Sequence, residues 1–173
     1  LYRIGNSGPA VKFEVIEKPN VWVKEIKKSE VINETQQFRY NYWTLFQEYA
    51  FKNVTFSKSF KRRKPSFDHW MNFNIGSSAC NIAVSLIQKR NELDVELYIN
   101  EDKELFHTLY NKKDEIEQKS GLNFDWRELP ERKGSRIIIC KDVDFDNKDS
   151  WNTQFEWLVD IMPKIKNVFK EYI

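Results

Sequence analysis

The sequence predicts an α+β fold, an antiparallel sheet of about five strands packed by three main helices, with an N-terminal hairpin remnant. Three observations carry this. Residues 34–51 and 149–172 place large apolar side chains at helical spacing. Leu93, Val95, Leu97 and Ile99 alternate strictly with charged or polar neighbours, the period of a half-buried strand. Between these stretches lie several short apolar runs bounded by turn residues, and the run from His69 to Asn100 is the β core that the helices cover.

At the front, Tyr2 and Ile4, then Val11, Phe13 and Val15, alternate around the break Gly5-Asn6-Ser7-Gly8-Pro9, which is turn chemistry. A hairpin over residues 1–28 follows, and a hairpin alone is marginal, so it needs a partner sheet. Residues 29–173 form the main domain. Asn33 with Gln36 has the form of a capping box. Phe38, Tyr42, Leu45, Phe46 and Tyr49 then make one helical face, ending near Lys52-Asn53, with Trp43 off that stripe. Residues 57–68 read as a basic linker, since Pro65 disfavours helix before it.

The sheet continues with strands at Trp70–Ile75 and Cys80–Gln88, divided by Gly76-Ser77-Ser78. Asn100 is the expected cap of a helix over residues 101–119, with Leu105, Leu109, Lys112 and Ile116 as its stripe and Gly121 just past its end. Leu122–Trp126 and Arg136–Cys140 supply two more strands. In the last helix, Trp151, Phe155, Leu158, Met162, Ile165, Phe169 and Tyr172 form a long seam, and Pro163 inside it predicts a kink.

Composition narrows the function classes. Hydrophobic residues are 40% of the chain and aromatics 15%, which is ample for a packed core and excludes a disordered chain. No apolar run of about 18 residues occurs, so no membrane partner is expected. The opening LYRIGNSG is not a signal peptide and lacks an initiator Met, which reads as a fragment. Cys80 and Cys140 stand in apolar, strand-like surroundings and read as buried reduced thiols, the habit of a cytoplasmic protein. Residues 1–64 carry thirteen Lys and Arg against six Asp and Glu, and residues 65–173 fifteen against twenty. A basic front and an acidic back can mark a nucleic-acid face.

The strongest binding feature is the basic run Lys58, Lys61, Arg62, Arg63 and Lys64, bracketed by Phe56, Phe60, Phe67 and Trp70. Flexible cations contact phosphates and exposed aromatics stack on unpaired bases; the alternative is a solvated loop whose aromatics pack inward. Asp94 and Glu96 share one strand face and could converge on a metal, although alternation alone accounts for them as the wet side of a strand. Asp142, Asp144 and Asp146 are weighed in the same way. His69 and His107 have no Cys or His at metal-ligand spacing. There is no phosphate loop, nucleophile elbow, dinucleotide fingerprint or internal repeat. No catalytic residue and no metal site is therefore assigned within the chain.

Tyr42-Trp43-x-x-Phe46, His69-Trp70 with Ile75-Gly76-x-Ser78, and Glu96-Leu97-Tyr98-Ile99 carry a resemblance. It continues through Phe106-x-x-Leu109, Lys113-x-x-Ile116-Glu117, Gly121-x-x-x-x-Trp126, Trp151, Trp157-Leu158 and Val168-Phe169. Over roughly residues 35–173 the chain is similar to a domain of unknown function found at the C-terminus of many bacterial and archaeal proteins. Tyr2-Arg3-Ile4, Ser7-x-Pro9-Ala10-x-x-Phe13 and Pro19-Asn20-x-Trp22 resemble the segment that closes a restriction-endonuclease-like domain of the PD-(D/E)XK type in those proteins. The resemblance implies that catalytic carboxylates, a lysine and any divalent metal lie upstream of Leu1. No cofactor is then expected in this chain. The leading expectation is a non-catalytic accessory domain of a nuclease-like protein, with DNA and its own upstream domain as partners. The alternatives are a homodimerisation or interaction module using Trp43 and Trp151, and a metal-dependent enzyme using Asp94 and Glu96.

Overall fold

A computed structural model of the chain describes residues 33–173; the hairpin expected over residues 1–28 lies outside them. The first elements are α1 (Glu34–Ala50) and a short α2 (Val54–Ser59). Three strands follow, β1 (Trp70–Asn74), β2 (Cys80–Ile87) and β3 (Glu92–Ile99), then α3 (Lys103–Tyr110) and α4 (Lys113–Ser120). β4 (Asp125–Arg127), β5 (Ser135–Asp142) and the long α5 (Trp151–Lys170) complete the order. All five strands join one antiparallel sheet in the order β1-β2-β3-β5-β4.

Register divides the sheet into two unlike faces. On one face Ile82 pairs with Leu97 and Leu97 with Ile137, while Val84 pairs with Val95 and Val95 with Ile139. These residues join a single apolar cluster with Tyr42, Trp43 and Phe46 of α1 and with Phe155, Leu158, Met162 and Phe169 of α5. A large apolar side chain gains about 1.5–3 kcal/mol from such burial. Slipping β3 by one residue would bury Glu92, Asp94 and Glu96 in place of Leu93, Val95 and Leu97, so the register is fixed.

Where the helices differ from the sequence expectation, the cause is local. On α1 the buried residues are Tyr42, Trp43, Phe46, Gln47 and Ala50, and Leu45 is exposed. The helix is rotated toward Trp43, whose Nε1 donates to Asp68 O at 2.9 Å. Trp43 and Trp151 are both buried, which corrects their expected role as an exposed dimerisation surface. Beyond Lys52 the chain forms α2, capped by Asn53, whose side chain accepts from Phe56 N.

The helix expected over residues 101–119 is two helices. A continuous one would put Lys112 on the buried stripe, and the break at Asn111-Lys112 leaves Lys112 exposed. Its cap is Asp102, which accepts from Leu105 N at 2.8 Å, and not Asn100. Asn100 instead donates its N–H to Ala79 O and extends the β2–β3 ladder. Gly121 ends α4 at φ 67, the left-handed conformation that suits glycine. The seam of α5 is buried as expected from Trp151 to Phe169, while Tyr172 lies beyond the helix and is half-buried; the helix continues through Pro163 to Lys170.

Candidate nucleic-acid interface

Chain continuity brings the basic residues next to α1. Lys58 sits on the last turn of α2, and residues 60–69 then run without regular structure to β1. Side-chain hydrogen bonds string this segment along α1. Gln47 Oε1 accepts from Arg63 N at 3.0 Å, Gln47 O accepts from Arg62 Nη1 at 3.4 Å, and Trp43 Nε1 reaches Asp68 O. Arg39 Nη1 contacts Phe67 O at 3.5 Å near the start of the helix. Gln47 is itself buried, with Nε2 3.2 Å from Met71 Sδ, so the anchor is fixed from both sides.

This tethering leaves the charges outside. Lys58, Lys61, Arg62, Arg63 and Lys64 are all exposed, and among the described residues none is paired with a carboxylate. Arg62 lies over the Phe51 ring at 4.7 Å. The bracketing aromatics divide. Phe56 and Phe60 pack inward as core, so neither can stack on a base. Phe67 is 40% exposed and Trp70 43% exposed, and the Phe67 ring stacks on that of Tyr40 at 5.3 Å.

Trp70 also begins the outer face of the sheet, which no helix among the described residues covers. There Trp70 pairs with Ser85 and Ser85 with Asp94, while Asn72 pairs with Ala83 and Ala83 with Glu96. Ala83 and Ser85 are small, and their cross-strand neighbours Trp70, Asn72, Asp94 and Glu96 are larger. The result is an open groove of about 310 Å³ with Trp70 and Tyr98 among its lining residues. His69, Asn72 and Ser85 provide polar groups, and Arg136 and Glu96 form an ion pair at 3.2 Å along it. Burial pushes the Glu96 carboxyl up while Arg136 opposes it. The Arg136 guanidinium also lies over the Tyr98 ring at 5.6 Å.

Asp94 and Glu96 do share the outer face, as their spacing predicts, but they have different partners. Asp94 belongs to a cluster with Glu92 and Cys140, whose ligand atoms lie within 4.8 Å of one another. Arg90 binds Glu92 at 3.0 Å and stands 3.8 Å from Asp94. Burial pushes the Asp94 carboxyl up to about 7, and the hydrogen bond and negative charge of Glu92 add to the rise. The hydrogen bond from Arg90 holds Glu92 below its ordinary value. The two carboxyls are thereby driven apart, Asp94 up and Glu92 down. Cys140 is exposed rather than buried, because it faces outward opposite Asp94.

Of Asp142, Asp144 and Asp146, Asp144 has a structural role. Asp144 Oδ1 accepts from the N–H groups of Asp146 and Asn147, which fixes the turn before α5. His107 pairs with Glu128 at 3.2 Å. A wider depression of about 610 Å³ between α1, α2 and α5 carries Lys52 and Lys164 against Glu156 and Asp160, and Lys164 is already bound to Asp160 at 2.8 Å.

Fold and surface together define an α+β domain with a basic segment tethered along α1 and a polar sheet face that no helix among the described residues covers. Residues 38–173 match the family described as Domain of unknown function (DUF4268), and the chain belongs to that family. No curated protein and no solved structure matches the chain. Among the described residues, no helix is long and apolar enough to cross a membrane.

Proposed function

We propose that this chain is a non-catalytic accessory domain of a nuclease-like protein and that it contacts DNA through Lys58, Lys61, Arg62, Arg63 and Lys64. One observation carries the reading: five cations, Lys58 at the end of α2 and four on the segment held along α1, are all exposed and none is neutralised by a carboxylate among the described residues. Surface cations left unpaired in this way suit phosphate oxygens, which position a protein on nucleic acid without reading sequence. The nuclease association rests on the resemblance of the front segment around Tyr2-Arg3-Ile4 and Pro19-Asn20-x-Trp22. On this reading, strand cleavage and any divalent metal belong to the neighbouring domain.

The test is fluorescence anisotropy with labelled duplex and single-stranded DNA between about 50 and 200 mM salt. Wild type is expected to bind with a steep salt dependence. The variant carrying Lys61→Ala, Arg62→Ala, Arg63→Ala and Lys64→Ala should bind more weakly, with the slope of log K against log salt reduced by about 0.9 for each duplex phosphate contact removed. If wild type and variant bind both forms equally poorly, the proposal fails.

A further inference from the structure

We propose that the outer-face groove walled by Trp70 and Tyr98 takes an unpaired base of single-stranded DNA, with the adjoining phosphates on Lys61, Arg62, Arg63 and Lys64. This rests on the nucleic-acid reading above and narrows it to one form of DNA.

The first argument is the placement of aromatics. Phe67, Trp70 and Tyr40 are large and exposed; two follow the basic run directly, and the third stacks on Phe67. Exposed rings beside unpaired cations suit nucleotides whose bases are free to leave the strand. A duplex keeps its bases stacked and would offer this surface only its phosphates. From Lys61 to Trp70 the chain can extend at most about 30 Å, so cations and rings lie within reach of one short strand.

The second argument is the groove itself. Its volume of about 310 Å³ stands at the small end of ligand sites, roughly 300–1,000 Å³, which fits one base-sized ring rather than an extended molecule. Asn72, Ser85 and His69 supply donors and acceptors for a base edge. The carboxylate most able to repel a phosphate there, Glu96, is paired with Arg136 at 3.2 Å. The remaining acidic pair is Glu92 and Asp94; Asp94 adjoins the groove through its pairing with Ser85, and Arg90 faces both carboxylates. Negative charge is thereby offset within the groove, and the net positive surface is the segment leading into it.

The experiment uses the whole 173-residue chain and three labelled probes of equal length, each about 12 nucleotides: oligo-dT, a mixed-sequence duplex DNA and oligo-rU. Trp70→Ala is expected to weaken oligo-dT binding about tenfold and to leave duplex binding unchanged, while Trp70→Tyr, which keeps an aromatic face, retains most of the affinity. Equal melting temperatures confirm that these exposed-site variants fold. The four-residue basic variant should weaken both DNA forms. If it does so while Trp70→Ala changes nothing, or changes single strand and duplex alike, the groove assignment is overturned and the DNA reading stands. If wild type binds neither DNA form, both fall. Tighter binding of oligo-rU than oligo-dT overturns the choice of DNA as the ligand.

Discussion

Replacing Asp94 by Asn tests the electrostatics of the sheet end directly. Asp94 Oδ1 is buried and without a hydrogen-bond partner among the described residues, and the side chain keeps 15% exposure. Burial first, then the hydrogen bond and charge of Glu92, raise its carboxyl from 3.8 to about 7, with Arg90 opposing. The folded protein therefore holds a proton that the unfolded chain releases above its ordinary value. Stability from this group is greatest in acid, falls as pH rises from about 4 to about 7, and is flat beyond. A rise of about three units corresponds to about 4 kcal/mol, and water around the strand end screens about half of it, leaving ~2 kcal/mol. Glu92 acts in a separate window, because its folded value lies below 4.5. Glu96 is itself raised by burial, and its negative charge adds a smaller rise at Asp94. Urea unfolding at pH 4.5, 6 and 8, followed by circular dichroism, should show the Asp94→Asn variant near wild type in acid and ~2 kcal/mol more stable at pH 8. A difference between the two proteins that stays constant across those pH values would refute the raised carboxyl of Asp94.

Much of the architecture was legible because periodicity reports burial. Leu93 to Ile99 could only be a two-faced strand, and the α5 seam could only pack on something large, so the α+β class and the five strands follow from pattern alone. What pattern could not report was the direction in which a helix turns when a loop lies on it. Leu45 matched the stripe of α1 and is exposed, whereas Trp43 lay off it and is buried, because residues 60–69 cover that side through Gln47 and Trp43. The Asn100 cap failed for a similar reason: its backbone was required by the sheet, and Asp102, two residues on, had the free side chain.

The candidate site was legible in part. Lys58 and Lys61 to Lys64 are as exposed as a charge run suggests, but the course of residues 60–69 along α1 depends on contacts between residues 15 to 28 positions apart. Phe56 and Phe60 looked equivalent to Phe67 and Trp70 as bracketing aromatics, and only the three-dimensional structure separates core from surface among the four. Asp94 with Glu96 was the pair suggested by spacing within one strand. The partners of Asp94 come partly from a neighbouring strand instead, since Cys140 lies opposite it through the β3–β5 register. No one-dimensional spacing connects residues 94 and 140. The groove was not anticipated at all, although small Ala83 and Ser85, alternating on a strand between larger neighbours, are the signal that could have found it.

Two further substitutions probe how the β4–β5 connection supports that groove. Lys103 Nζ lies 2.5–3.2 Å from Glu128 O, Leu129 O, Gly134 O and Ser135 Oγ; Lys103→Met removes this charged tie and should destabilise the fold by about 2–3 kcal/mol, read as a lowered melting temperature and faster proteolysis within residues 128–135. Gly134→Ala acts on Tyr98 instead. A Cβ at Gly134 would stand 2.6 Å from Tyr98 Oη and 2.8 Å from Cζ, so the ring must swing away from both Gly134 and the Arg136 guanidinium that lies over it. Overpacking of this kind costs about 1–3 kcal/mol. If the ring is the whole cause, the same substitution made in a Tyr98→Ala background should be nearly neutral, and the double-mutant cycle should show a coupling close to the single-mutant loss. Additive losses would mean that the backbone at Gly134, and not the wall of the groove, is what the methyl group disturbs.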